Sequence, residues 1–349
     1  MFDAGANTIN KEIIKTDVDE SVVESVYRKW QDHGFPYYPT DDESRTSEFQ
    51  LLMKFDRSGL YKPKDKMISW APHGLALAWS YMPHSWGIKC GTMRTPMEIW
   101  NDETQFKMAI RKLLSGTFFA KTEAHEIGPA DIRALLMRFT GTQIVSNFRP
   151  TAAATLYDKF LEKSSPLFGT KAGTTWDMSC GYGGRLLGSI AAGVNYIGTD
   201  PCTETFKGLE QIRDEWKSPH QTVELHQLGS EIFHPDKNSV DLCFTSPPYF
   251  DWEKYSDEET QSYKQFETVE LWTEGFLRKT IENCYYGLKS GGVMVMNGAN
   301  TKRIKTFEKD IVRLGIETGM THIDQWKLQL STSQKGQMYK TEPMFIFRK

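Results

Sequence analysis

From about residue 174 to the end of the chain, short apolar segments alternate with longer amphipathic ones, and this alternation constrains the fold more than any other feature. Strands are predicted at residues 175–179, 195–200, 223–228, 240–244 and 293–296, and helices at 185–192, 203–216, 265–288 and 307–314. Parallel strands need long crossover connections, usually helices, so this order predicts an α/β fold with a mostly parallel sheet covered by helices. Two final strands, at residues 321–330 and 344–348, are expected to form an antiparallel edge.

The first 140 residues follow a different pattern and predict a second, smaller domain. Apolar residues have helical spacing at residues 19–31, 46–55, 104–119 and 127–139, whereas residues 56–100 are irregular. A chain of 349 residues is long enough for two domains. We therefore expect a mainly helical and irregular N-terminal domain at residues 1–140 and an α/β domain at residues 141–349.

The irregular segment combines aromatic and basic residues. It contains Trp70, Trp79, Trp86 and Trp100, and residues 51–121 include 11 Lys and Arg against 5 Asp and Glu. Nucleic-acid-binding surfaces combine cations that contact phosphates with aromatic rings that stack on bases. The alternative is that each tryptophan belongs to the core of a small domain. We expect target recognition to come from the N-terminal part of the chain.

Composition excludes several other classes of protein. Hydrophobic residues make up 39% and charged residues 25% of the chain, as in ordinary globular proteins. The five cysteines are odd in number and include no Cys-x-x-Cys pair, which argues against a disulfide framework and a structural zinc site. The sequence has no signal-peptide pattern at residues 1–7 and no run of about 18 apolar residues that could span a membrane. A cytoplasmic protein without a metal site is expected.

A glycine-rich turn follows the first predicted strand of the α/β part, where Gly181, Gly183 and Gly184 precede a helix. Such a turn lets a ligand approach the backbone, although a packing role is an equal alternative for a single glycine motif. Asp200 ends the next strand, where a carboxylate can accept both ribose hydroxyls of an adenosine-type ligand or, alternatively, cap a helix. Together these features predict a nucleoside cofactor and leave NAD and S-adenosylmethionine open.

The fourth predicted strand ends in a stiff polar turn, Thr245-Ser246-Pro247-Pro248-Tyr249. Proline has no N–H to continue a strand ladder, so the two prolines stop the strand. Ligands of open α/β sheets bind at the carboxyl ends of strands. A rigid turn there, with free carbonyls, a hydroxyl and an aromatic ring, suits a flat base that carries an amino group. A purely structural diproline turn is the alternative.

Taken together, these motifs resemble those of amino-group DNA methyltransferases. Asp177-Met178-Ser179-Cys180-Gly181-Tyr182-Gly183 is similar to the cofactor motif of that family. Ser246-Pro247-Pro248-Tyr249 is similar to its catalytic motif, which usually reads Asp/Asn/Ser-Pro-Pro-Tyr/Phe/Trp. Asn147-Phe148-Arg149-Pro150 and the closing segment 340–349 also resemble segments of the family, so the resemblance spans residues 140–349.

The resemblance implies S-adenosylmethionine as the cofactor and a Rossmann-like methyltransferase sheet. The glycine turn would face the methionine part of the cofactor and Asp200 its ribose, with Arg149 as a candidate partner of the carboxylate. The family often has an acid after the third strand that binds the adenine amino group, and here Ser230 and Glu231 are both open. The implied cofactor-binding residues are Phe148, Arg149, Asp177, Ser179, Gly181, Gly183, Asp200, Ser230 and Thr245.

The implied catalytic residues are Ser246, Pro247, Pro248 and Tyr249. An exocyclic amino group is a poor nucleophile because its lone pair is delocalised into the ring. If the Ser246 hydroxyl and the Pro247 carbonyl accept hydrogen bonds from its two N–H groups, the nitrogen is drawn toward tetrahedral geometry. Tyr249 would stack on a base flipped out of double-stranded DNA, and the segment 250–256 would line the base pocket unless it is a surface loop.

Serine at the first catalytic position favours cytosine N4 by resemblance, with adenine N6 as the alternative. An RNA or protein-glutamine methyltransferase and a catalytically silent nucleic-acid-binding module are further alternatives. The expected partner is DNA, in a bacterial or phage restriction-modification context. The oligomeric state is left open.

Overall fold

The computed structural model describes residues 18–116, 123–161, 173–331 and 340–349 of the protein. Within these residues a sheet of nine strands forms the centre, in the spatial order β1-β2-β10-β11-β9-β7-β4-β5-β6. Its strands are β1 (Tyr61–Lys62), β2 (Met67–Ile68), β4 (Thr174–Asp177), β5 (Asn195–Thr199), β6 (Val223–His226), β7 (Val240–Thr245), β9 (Leu288–Asn297), β10 (Thr321–Gln329) and β11 (Thr341–Arg348). A separate pair is formed by β3 (Lys89–Cys90) and β8 (Glu253–Lys254).

The strands from β9 to β6 are parallel to one another, and β11 is antiparallel to both β9 and β10. This arrangement confirms the predicted mostly parallel sheet with an antiparallel edge. Strand β7 is buried on both faces from Leu242 to Thr245, which explains its continuous apolar sequence. The carboxyl ends of β4, β5, β7 and β9 meet at one edge of the sheet, where open α/β sheets bind ligands.

Helices cover both faces of the sheet and form most of the N-terminal region. They are α1 (Glu20–His33), α2 (Asp42–Lys54), α3 (Leu75–Ser80), α4 (Pro96–Asn101), α5 (Glu103–Leu114), α6 (Pro129–Arg138), α7 (Pro150–Phe160), α8 (Gly184–Ala192), α9 (Thr203–Trp216), α10 (Ser262–Gln265), α11 (Val269–Trp272), α12 (Arg278–Gly287) and α13 (Phe307–Glu317). None of the helices in the described part of the chain is both long and apolar enough to cross a membrane.

The helix predicted at residues 265–288 is interrupted. Helix α10 ends at Gln265, the Thr268 hydroxyl accepts the N–H of Leu271 to start α11, and a π-helix (Thr273–Leu277) joins α11 to α12. A Cβ added at Gly275 would lie 2.1 Å from the ring of Phe266, so the glycine allows this ring to pack against the π-helix. The end of the helix predicted at residues 104–119 lies partly outside the described residues.

The N-terminal region packs in two different ways. Helices α1, α4, α5 and α6 enclose a core of their own, with Trp30, Phe106 and Leu135 at its centre. The segment between them instead joins the α/β part, because β2 pairs in parallel with β10 and α3 packs against α8. The division into residues 1–140 and 141–349 stays a prediction. The structure adds that the first of these segments contributes two strands to the main sheet.

Candidate active site

One pocket lies at the carboxyl edge of the sheet, and both predicted motifs reach it. Its empty space of about 1160 Å³ includes open solvent at its mouth. Among the residues that the structure describes, no three His, Cys, Asp or Glu side chains are arranged to hold a metal ion. The predicted site residues that line the pocket are Phe148, Arg149, Ser179, Gly181, Asp200, Ser230, Ser246, Pro247, Pro248 and Tyr249.

Two of the predicted cofactor residues, Asp177 and Thr245, lie behind the pocket rather than at its wall. Asp177 is fully buried, and its Oδ2 accepts hydrogen bonds from Arg185 Nε (2.8 Å) and the Tyr196 hydroxyl (2.6 Å). Its Oδ1 accepts the Thr245 hydroxyl at 2.9 Å. This network joins the end of β4 to the end of β7. It therefore holds the glycine turn and the diproline turn in register.

The glycine turn has two different tasks. Gly183 has φ +77°, and a Cβ there would lie 2.5 Å from Ile212 Cδ1, so this predicted residue packs against α9 and does not line the pocket. A Cβ at the following Gly184 would lie 1.7 Å from the Phe148 carbonyl oxygen. Only glycine at position 184 lets the segment containing Phe148 cross the start of α8. Gly184 was not among the predicted site residues, although it stands next to Gly183.

Asp200, the predicted ribose-binding residue, lies at the wall of the pocket. Its Oδ2 accepts the N–H of Gly181 at 2.8 Å and its Oδ1 the N–H of Cys202 at 3.0 Å. Each carboxylate oxygen has a further lone pair for another donor, which fits a pair of vicinal hydroxyls. Burial raises the pKa of Asp200 to about 7. Gly181, with φ +55°, supplies the sharp turn that brings its N–H to the carboxylate.

The structure distinguishes between Ser230 and Glu231, which both line the pocket. The Ser230 hydroxyl lies 2.8 Å from the Thr280 hydroxyl and is 1% exposed, so it already has a partner. Glu231 Oε2 is buried without a hydrogen-bond partner in the described structure. Burial also raises the pKa of Glu231. An unpaired buried acceptor beside the pocket fits the amino group of adenine better than the engaged hydroxyl does.

Arg149 and Tyr249 each contact one of the paired strands β10 and β11. Nη2 of Arg149 donates to the carbonyl of Gln329 at the end of β10, and the Tyr249 hydroxyl donates to Glu342 Oε1 at 3.0 Å. Burial lowers the pKa of Arg149 to about 10 and raises the pKa of Glu342. In the sheet order, β4, β7, β9 and β11 separate β10 from β5, which ends next to Asp200.

The segment after the diproline turn also reaches the pocket, through Phe250, Glu253 and Tyr255. These residues fall in the predicted base-lining segment 250–256. Glu342 lies in the closing segment 340–349, and sequence reasoning assigned it no role. No signal in the sequence identifies it, because its burial arises from the packing of β11 between β9 and β10.

The four tryptophans of the N-terminal segment differ in exposure. Trp79, Trp86 and Trp100 are buried, so the core interpretation is correct for these three. Trp70 is 36% exposed, and its backbone N–H donates to Gln329 Oε1 at 3.2 Å. It follows that Trp70 lies beside the end of β10, near the Arg149 end of the pocket.

A family model described as DNA methylase, of the N6/N4 type, matches residues 240–349. This match confirms the predicted resemblance to amino-group DNA methyltransferases and S-adenosylmethionine as the cofactor. No match was found among curated proteins.

Solved structures with similar folds include several S-adenosylmethionine-dependent enzymes. An O-methyltransferase from Thermotoga maritima has 13% identity and a TM-score of 0.39 over 64% of this chain and 72% of that chain. A methyltransferase from Pyrococcus furiosus has 15% identity and a TM-score of 0.39 over 62% of this chain and 93% of that chain. The cyclopropane synthase MmaA2 from Mycobacterium tuberculosis has 14% identity and a TM-score of 0.36 over 51% of this chain and 63% of that chain. At these scores the assignment rests on the family match.

Proposed function

We propose, from the premise that residues 240–349 belong to the S-adenosylmethionine-dependent amino-group DNA methylase family, that the protein methylates an exocyclic amino group in double-stranded DNA. The favoured target is N4 of a cytosine flipped out of the helix, and the alternative is N6 of adenine. A cytoplasmic protein in a restriction-modification context is part of this proposal.

One observation carries the proposal. The glycine turn with Asp200 and the Ser246–Tyr249 turn line the same pocket. Behind them, the hydrogen bond between Asp177 and Thr245 fixes the relative position of the two turns. A methyl donor held by the first turn and an amino group held by the second would therefore be neighbours. Such proximity is the main requirement of a displacement reaction.

Each residue of the diproline turn has a distinct proposed task. Bound S-adenosylmethionine supplies a methyl group activated by the sulfonium charge, so that no strong base or metal is required. The Ser246 hydroxyl and the Pro247 carbonyl oxygen accept hydrogen bonds from the two N–H groups of the amino group, and the rigid prolines keep both acceptors in position. Tyr249 provides an aromatic wall for the flipped base. Its hydroxyl is held by Glu342, which orients the ring.

We assign the residues at the ends of different strands to different parts of the cofactor. Ser179 and Gly181 at the end of β4 would face the methionine part, and Asp200 at the end of β5 the ribose. Phe148 lines the same end of the pocket. For the adenine amino group, the unpaired Oε2 favours Glu231, with Ser230 beside it.

The target side is proposed to include the exposed hairpin of β1 and β2. Lys62 and Lys64 are exposed there and can contact phosphates. Trp70 follows this hairpin and can stack on a base or pack against the backbone at the rim of the pocket. This arrangement supports recognition by the N-terminal part of the chain.

The test is transfer of labelled methyl groups from S-adenosylmethionine to duplex DNA, followed by mapping of modified bases in DNA from cells that express the protein. Mapping reports the base, the atom and the sequence context. Cofactor binding without incorporation into any DNA would refute the proposal, and transfer to RNA or protein alone would favour those alternatives.

Two variants link the activity to this pocket. Ser246→Ala and Tyr249→Ala should reduce turnover at least roughly 100-fold while cofactor affinity changes little, because both residues face the base. Matched controls are Ser239→Ala, just before β7 begins, and Tyr286→Ala, whose ring is 42% exposed. Equal effects of the site and control variants would contradict the assignment.

A further inference from the structure

One buried carboxylate in the pocket has no cationic partner among the residues that the structure describes. Glu253 begins β8, is 6% exposed and lines the pocket. Its Oε2 accepts the Tyr255 hydroxyl at 2.5 Å, and its Oε1 accepts the N–H of Ser146 at 3.4 Å. Within the described residues no Lys, Arg or His nitrogen lies within 4.0 Å of this carboxylate. Two neutral donors therefore support it, and its charge is left uncompensated.

A carboxylate in this situation is costly to ionise. Burial disfavours the charged form, and the pKa of Glu253 is raised to about 7. Glu342 adds a like charge that also disfavours ionisation. Buried charges in proteins are normally paired, so a ligand that brings a cation to this position would relieve the cost.

The position of Glu253 relative to the glycine turn identifies which part of the cofactor it faces. Ser146, which donates to Glu253, is followed by Asn147, whose Nδ2 donates to the carbonyl of Tyr182 at 3.0 Å. Tyr182 belongs to the glycine turn at the end of β4. The carboxylate is thus next to the turn that would face the amino-acid half of the cofactor.

Other acids of the pocket have different positions. Asp200 lies at the end of β5 and Glu231 after β6, on the ribose and adenine side of the glycine turn in the sheet order. Glu342 holds the Tyr249 hydroxyl and lies close enough to the Arg149 guanidinium for their charges to interact. Asp200 also contacts the glycine turn, through the Gly181 N–H, but the Arg185 guanidinium lies close enough for its charge to interact with Asp200. Among the described residues, no cation has such an interaction with Glu253.

We propose that Glu253 binds the α-ammonium group of S-adenosylmethionine, with Tyr255 and the Ser146 N–H holding the carboxylate in place. This extends the cofactor site of the proposed function. The amino-acid half would then be recognised by a side chain of the segment that follows the catalytic turn. Cofactor binding would thereby order the segment that lines the base pocket.

The experiment compares two ligands by calorimetry without DNA. One is S-adenosylmethionine, and the other is the analogue in which hydrogen replaces the α-amino group. A charge-assisted hydrogen bond corresponds to roughly 10- to 100-fold in affinity, so the wild-type protein should prefer S-adenosylmethionine by that factor. Glu253→Gln should reduce the preference to less than roughly threefold, chiefly by lowering the affinity for S-adenosylmethionine.

Controls separate recognition from structure. Glu224→Gln, on the exposed face of β6, should leave both affinities unchanged. If Glu253→Gln lowers the affinity for both ligands equally, or changes neither affinity, the proposal is overturned. Should this variant not fold, Glu253→Asp provides the second test. Its shorter side chain should reduce the preference for S-adenosylmethionine, and an unchanged preference would overturn the proposal. Because no nucleic acid is used, the result is independent of whether the proposed target base is correct.

Discussion

The Thr245 hydroxyl donates a 2.9 Å hydrogen bond to the carboxylate of Asp177, and this contact joins the two strand ends that carry the proposed cofactor and base turns. Asp177 is fully buried and also accepts hydrogen bonds from Arg185 and Tyr196. The two turns therefore depend on one shared carboxylate for their relative position. Several expectations follow from this and from neighbouring contacts.

Thr245→Val removes the hydroxyl and retains the side-chain shape. It should lower the free energy of unfolding by about 1–2 kcal/mol, because a buried carboxylate loses a donor. Turnover should fall more than cofactor affinity, because the base turn loses its tether. Urea unfolding, calorimetry and methyl transfer measure the three quantities. Thr318→Val, which removes a hydroxyl bonded within α13, is the control and should leave turnover unchanged. An unaltered turnover in Thr245→Val would contradict a positioning role.

Gly184→Ala tests the crossing of the Phe148 segment over α8. A Cβ would lie 1.7 Å from the Phe148 carbonyl oxygen, so this segment must move away from the cofactor end of the pocket. We expect a loss of stability of several kcal/mol, or at least a roughly tenfold weaker affinity for S-adenosylmethionine. Gly59→Ala is the control, since a Cβ there meets nothing within 4 Å. Normal cofactor binding by a stable Gly184→Ala protein would disprove the packing interpretation.

Cofactor affinity should depend on pH. Burial raises the pKa of Asp200 from 3.8 to about 7, so the unliganded protein should lose stability as the pH rises from about 4 to about 7. Glu253, with a pKa raised from 4.5 to about 7, acts in the same direction. If Asp200 accepts the ribose hydroxyls and Glu253 binds the ammonium group, as proposed, the affinity for S-adenosylmethionine should rise over the same window, because both contacts are strengthened by ionised carboxylates.

The measurement is the cofactor-induced shift in Tm, together with the Kd from calorimetry, between pH 5.5 and pH 8. We expect the Kd to be roughly tenfold or more higher at pH 5.5. Asp200→Asn should bind more weakly and show a shallower pH dependence. A wild-type affinity that does not change with pH would show that these carboxylates do not contact the cofactor in their charged form.

Trp70→Ala should weaken DNA binding and leave cofactor binding intact. Its ring is exposed beside the end of β10, and loss of one aromatic stacking contact costs about 1–3 kcal/mol. Fluorescence anisotropy with a labelled duplex measures the effect. Tyr37→Ala, which removes an exposed aromatic ring in the loop between α1 and α2, is the matched control. An equal loss for both variants would indicate that Trp70 has no specific role in the interface.

The longer strands of the main sheet could be predicted from the sequence because most of them contain short apolar segments that alternate with amphipathic helices. Helix α9 has the predicted bounds, residues 203–216. The break before α11 was missed because the apolar spacing continues through it, and only the local capping by Thr268 and the packing of Phe266 interrupt the helix. Strands β1 and β2 have two residues each, too few for any periodicity to indicate them.

For the site, residue type and position at the end of a predicted strand were sufficient to identify residues most of which line one pocket. They could not tell which residues face the pocket and which lie behind it. Asp177 accepts hydrogen bonds from Arg185 and Tyr196, and also from Thr245, which lies 68 residues away in the sequence. Glu253 and Glu342 were not distinguishable from surface acids, because their burial depends on tertiary packing.

The pairing of β2 with β10 brings Met67 next to Lys327, and Lys66 forms an ion pair with Asp324 at 2.5 Å. A chimera that exchanges the first 140 residues to change the target sequence would remove β2 along with them. Strand β10 would then present an unpaired edge, which invites association with other sheet edges. Exchange of recognition elements should accordingly keep residues 61–68 with the catalytic part and graft only the surrounding helices.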